Sequence, residues 1–130
     1  MSTMIKTLFF GDNTECRGAE MLLRNHRLMM GANHECRYVT TSDEFLELLM
    51  EWDPSLVVVL QNGAAGMEGV FQSRSRRPAV PVFWFSDDHD FGMQAYRLNC
   101  AYFSTKPVTA EKLDCGVRRC AHMGIQYAAV

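Results

Sequence analysis

Leu56 to Leu60 is an unbroken aliphatic run, LVVVL, flanked by Pro54-Ser55 on one side and Gln61-Asn62-Gly63 on the other. It is too short for a helix, β-branched in its middle and free of polar alternation. Such a run reads as a strand covered on both faces inside a parallel sheet. A strand of this kind needs helices above and below it, so it constrains the chain to a layered α/β architecture. Val80 to Phe85 repeats the pattern, apolar at every position apart from Pro81.

The rest of the chain supplies the expected alternation. Ile5 to Phe10 is a first apolar strand, closed by Gly11-Asp12. Asn13 or Thr14 is expected to cap a helix from about Glu15 to His26, whose Cys16, Ala19, Leu22, Leu23 and His26 share one stripe. Cys36 to Thr40 makes a short second strand. Thr41 and Glu44 have capping-box spacing and open a helix with Phe45, Leu48, Leu49 and Trp52 inward. After the central strand a helix is expected from about Met67 to Arg76. A weakly patterned helix from Phe91 to Leu98 follows the fourth strand. A fifth strand, Ala101 to Ser104, leads to a helix capped by Thr109 and running from Ala110 to about His122. The tail from Gly124 to Val130 carries no clear pattern. Five strand–helix units with short connections imply a doubly wound, five-stranded parallel sheet of the flavodoxin-like order 2-1-3-4-5. No repeat or linker divides residues 1–130, which read as one domain.

Composition narrows the function classes. A hydrophobic content of 48% is enough for a real core. Lys and Arg number 13 against 15 Asp and Glu, so no overall charge draws the chain to nucleic acid or an anionic membrane. No apolar run reaches transmembrane length. The five cysteines contain no C-x-x-C pair, which suits reduced thiols and a cytoplasmic location. His26, His34, His89 and His122 lack paired ligand spacing, so no metal is expected. Arg74, Arg76 and Arg77 read as a solvated helix end. No nucleophile–base pair stands out, so neither an enzyme nor a cofactor is expected. A flavin is disfavoured because the turn Asp12-Asn13-Thr14-Glu15 brings acids toward the phosphate.

In an open α/β sheet, ligands and chemistry sit at the carboxyl ends of the strands. Those ends carry Gly11 and Asp12, then Gln61, Ser86 and Lys106. With these residues in this order the chain resembles the receiver domains of two-component response regulators over essentially its whole length. Receivers typically have an acid pair after the first strand and a phospho-accepting aspartate after the third. A Ser or Thr follows the fourth strand and Lys-Pro the fifth. Asp12, Ser86 and Lys106-Pro107 match, and Phe103 falls at the aromatic switch position. The segment from Phe85 to Leu113 looks most like receivers of the LytTR type.

Two departures shape what the resemblance implies. Eight positions before the glycine matched by Gly69, the aspartate is replaced by Gln61, and no aspartate occurs between Asp53 and Asp87. The acid pair is also halved, because Asp12 is flanked by Gly11 and Asn13. An amide is a poor nucleophile, and one carboxylate makes a poor magnesium site. The expectation is a degenerate receiver that signals by phosphorylation-independent protein contact. Gly11, Asp12, Gln61, Ser86 and Lys106 form a vestigial pocket, and Lys106 turns to Asp12, the Gln61 oxygen or solvent. Asp12 could equally be an acid favoured by the dipole of the first helix. The resemblance implies a protein partner: a signalling kinase, an output domain or another receiver. A homodimer would form through Gln94, Arg97 and Tyr102. Nucleic acid would be met only through an output module outside this chain. The alternative is a flavodoxin-like domain sensing a small ligand in the emptied crevice.

Overall fold

The computed structural model of the protein describes residues 4–122, with side chains as far as Cys120. Five strands, β1 (Met4–Phe10), β2 (Asn33–Val39), β3 (Leu56–Val59), β4 (Val82–Ser86) and β5 (Tyr102–Thr105), form one all-parallel sheet in the order β2-β1-β3-β4-β5. Helices α1 (Asn13–Arg24), α2 (Ser42–Glu51), α3 (Gly63–Arg76), α4 (Gly92–Arg97) and α5 (Ala110–His122) alternate with them. Neighbouring strands are in register at their tips, with Phe10 opposite Val59, Val59 opposite Trp84, and Ser86 opposite Thr105.

The period-two alternation of strand side chains sorts the core into two layers. Ile5, Phe9, Val58, Leu60, Phe83 and Phe85 pack under α1 and α5, against Cys16, Leu23, Leu113 and Val117. Leu8, Phe10, Val57, Val59, Val82 and Trp84 point to the other face, against Phe45 and Leu49 of α2, Val70 of α3 and Ala95 of α4. Every residue from Leu56 to Leu60 is buried, as a strand apolar on both faces requires.

Several boundaries differ from the sequence expectation. α1 is capped by Asp12 itself, not by Asn13 or Thr14, so it starts and ends about two residues early. β2 begins at Asn33 rather than Cys36. α3 starts at Gly63, taking the glycine- and alanine-rich stretch as its first turn where a loop was expected. The helix expected from Phe91 splits into a 3₁₀ turn, His89–Phe91, and the six residues of α4. Thr109 does accept a bond from the Lys112 amide, as its capping role requires. The patternless tail lies outside the described residues.

In the basic cluster Arg76 is exposed at the helix end, as expected, whereas Arg74 and Arg77 turn back onto the backbone. Arg74 donates to the carbonyls of Leu98, Pro78 and Val80 at 3.2, 3.0 and 3.2 Å. Arg77 donates to those of Leu49 and Met50 at 3.1 and 2.6 Å. Both guanidiniums thus satisfy carbonyls left over at helix ends and turns, at the pole away from the strand tips.

Candidate functional site

The carboxyl ends of β1, β3, β4 and β5 bring Gly11, Asp12, Gln61, Ser86 and Lys106 to one crevice. The tips of β1 and β3 meet closely there. Leu60 donates its amide to the Phe10 carbonyl at 2.7 Å, and a Cβ on Gly11 would come within 2.8 Å of the Leu60 Cβ. Only glycine fits at position 11 without moving that strand.

Asp12 serves its own helix. Its Oδ2 accepts from the amides of Thr14 and Glu15 at 3.1 and 3.2 Å, satisfying two of the four amides that a helix start leaves open. Lys106 makes no bond to Asp12 or to the Gln61 oxygen. Its half-buried ammonium donates to the Leu60 carbonyl at 2.7 Å and to the Glu15 carboxylate at 2.8–2.9 Å. Glu15 is therefore a member of this crevice that the sequence reading missed. It lies one helical turn beyond Asp12, so a search for adjacent acids passes over it, whereas i, i+3 spacing at a helix start would find it.

Gln61 is half-buried, and its side-chain amide takes no protein partner among the described residues. The next residue does bridge two loops: Asn62 Oδ1 accepts from the Asp87 amide at 3.3 Å. Ser86 is buried, with its Oγ accepting from the Asp88 amide at 3.1 Å and its carbonyl accepting from the Lys106 amide at 2.9 Å. That serine is occupied in holding the β4–α4 loop. Phe103 packs edge-on to Trp84, with ring centroids 5.2 Å apart, and lies against Gly92.

Cys16, in the first turn of α1, is the nearest thiol. Burial, and then the charges of Glu15 and Asp12, push it up to about 12, with Lys106 opposing weakly. Such a thiol is not a nucleophile at neutral pH. At pH 8 under native conditions, iodoacetamide should modify the exposed Cys115 first and leave Cys16 untouched on the same timescale. Peptide mapping that found Cys16 alkylated as fast as Cys115 would refute this burial.

The groups implied for magnesium do not fit it. That ion takes near-ideal octahedral oxygen donors, supplied largely by carboxylates and phosphate. Here one carboxylate caps α1, another is paired with Lys106, and the tip of β3 offers an amide. Asp88, His89 and Asp90 do bring ligand-type atoms within 4.8 Å of one another, a juxtaposition that sequence spacing did not suggest. All three are exposed, and exposed acidic groups of this kind are common without an ion.

Of the interface residues expected from the sequence, Arg97 and Tyr102 line one groove of about 630 Å³ between α4, β5 and α5, together with Arg119. Gln94 does not join them. It faces a second groove of about 330 Å³, between α3 and α4. Arg97, one helical turn on from Gln94, lines this second groove as well.

No protein-family model matches the chain, and no curated protein does. Among solved structures it is similar to a CheY-like response regulator receiver domain protein from Methanospirillum hungatei, with TM-score 0.71 and 14% identity over 93% of this chain and 96% of that one. It is also similar to the signal receiver domain of a modulated diguanylate cyclase from Desulfovibrio desulfuricans, with TM-score 0.70 and 17% identity over 92% and 95%. A third is the response regulator DrrB from Thermotoga maritima, with TM-score 0.70 and 20% identity over 95% of this chain and 55% of that one. The fold is that of CheY-like receiver domains.

Proposed function

We propose that this chain is a pseudo-receiver: a non-enzymatic, cytoplasmic signalling domain that acts by protein contact and takes no phosphoryl group. The receiver fold supports the signalling class. The observation that carries the rest is the chemistry at the tip of β3. An amide, Gln61, stands where the fold would present a nucleophile, and the nearby ammonium of Lys106 is already held by Glu15 and the Leu60 carbonyl. Phosphoryl transfer needs a carboxylate acceptor and a cation to spread charge over the transferring oxygens. Asp12 belongs to the start of α1 rather than to the tip of β3, and its Oδ2 is engaged by the Thr14 and Glu15 amides.

On this reading the crevice is a set joint rather than a switch. Ser86 and Phe103 are spent on loop and core contacts, and Lys106 fastens the tip of β5 to β3 and α1. The partner is a kinase, an output module or another copy, met through the helical surface. Incubation with acetyl phosphate and magnesium should leave the intact mass unchanged. A stoichiometric acyl-phosphate adduct, labile in both strong acid and alkali and released by hydroxylamine, would end the proposal.

A further inference from the structure

We infer that the groove between α4, β5 and α5 binds a nucleotide, its phosphates on Arg97 and Arg119 and its base against the tyrosines. The groove encloses about 630 Å³, within the usual range for small-molecule sites. Arg97, Arg119, Tyr96, Asn99, Tyr102 and Phe103 line it, and no carboxylate does.

Two unopposed cations set this groove apart. Elsewhere Arg24 is paired with Glu20, Arg37 with Glu35, Arg77 with Asp53 and Arg118 with Asp114, while Arg74 donates to carbonyls. Arg97 and Arg119 make no hydrogen bond or ion pair to the described residues. The neighbouring grooves carry acids beside their arginines: Glu20 beside Arg17, Glu111 and Asp114 beside Arg27. Arg97 also borders the groove that holds Glu68, but that carboxylate accepts from Gln72 at 2.8 Å and makes no pair with Arg97.

Guanidinium forks match phosphate and carboxylate alike, so charge alone calls for an anion. The rings narrow the choice. Tyr96 is 84% exposed, a large ring that the fold leaves uncovered, and Tyr102 and Phe103 lie half-buried in the same groove. A planar base stacks on such faces, and the Asn99 amide offers both a donor and an acceptor to its edge. An anionic group joined to a flat, hydrogen-bonding ring is a nucleotide. A second copy seated on this face would bring like charges together, which disfavours the homodimer expected there through Arg97 and Tyr102.

The test is isothermal titration calorimetry of the full chain with ATP, GTP, CTP and UTP in the presence of EDTA. Tripolyphosphate and the matching nucleoside supply the two halves of the ligand separately. At least one nucleotide should bind one to one, roughly tenfold or more tighter than either half. Arg97→Glu, Arg119→Glu and Tyr96→Ala should each weaken it by roughly tenfold or more, with folding checked by circular dichroism. Gln61→Ala in the crevice and Arg27→Glu in the α1–α5 groove should leave it unchanged. The proposal is overturned if none of the four nucleotides saturates, or if tripolyphosphate binds as tightly as they do. A glutamate-rich peptide that binds more tightly than any nucleotide would also overturn it, as would binding that survives Arg119→Glu but not Gln61→Ala. The acetyl phosphate experiment reads covalent transfer and this one reads reversible binding, so the two proposals fail separately.

Discussion

Gly66→Ala should destabilise the fold by about 3 kcal/mol, at the upper end for overpacking, and lower the melting midpoint by roughly 10 °C. A Cβ at position 66 would stand 1.9 Å from the Gln61 carbonyl oxygen and 3.0 Å from its carbonyl carbon. Both are backbone atoms at the tip of the central strand, so no side-chain rotation relieves the clash. The first turn of α3 would have to lift, carrying with it the Asn62–Asp87 bond that joins the two loops. Glycine inside a helix costs about 0.5–1 kcal/mol relative to alanine, so propensity alone predicts the opposite sign. A differential scanning measurement therefore discriminates cleanly: a midpoint at or above that of the wild type would mean that α3 does not approach the strand as described.

The second large effect concerns Trp84, whose side chain is wholly buried against Phe91 and Phe103. Trp84→Ala should cost about 3–5 kcal/mol, through lost burial and the cavity left behind. Trp84→Phe is the informative comparison. The indole Nε1 is buried without a hydrogen-bond partner among the described residues, and an unmet buried donor costs roughly 1–3 kcal/mol. Removing that donor offsets much of the apolar area lost with the second ring. Urea unfolding should place Trp84→Phe within about 1.5 kcal/mol of the wild type, the range of conservative core exchanges. Equal losses for the two variants would show that the indole nitrogen is satisfied after all.

The sheet was readable from the sequence because Leu56–Leu60 and Val80–Phe85 leave no polar position to face water, and only a sheet covered on both sides accommodates that. Order 2-1-3-4-5 followed from the strand–helix alternation. The start of α3 was not readable, because Gly63, Ala64, Ala65 and Gly66 look like loop chemistry. The glycine at 66 answers instead to a carbonyl close by in space, which no window along the chain contains. Glu15 was passed over because its relation to Lys106 spans 91 positions and exists only once β5 and α1 are placed. The direction of Gln94 was lost for another reason. α4 has six residues, fewer than two turns, so its apolar pattern is too brief to fix which side faces which neighbour.

The capping role of Asp12 and the pairing of Lys106 with Glu15 have a consequence for any redesign of the strand tips. Asp12, Ser86 and Lys106 are each engaged elsewhere, so changing Gln61 to aspartate would not by itself supply a working phospho-acceptor. The new acid would compete with Glu15 for one ammonium, and the caged amides of α1 would still claim Asp12. One substitution at the tip of β3 would thus add a carboxylate to the rim while leaving the Lys106–Glu15 pair and the α1 cap to be broken separately.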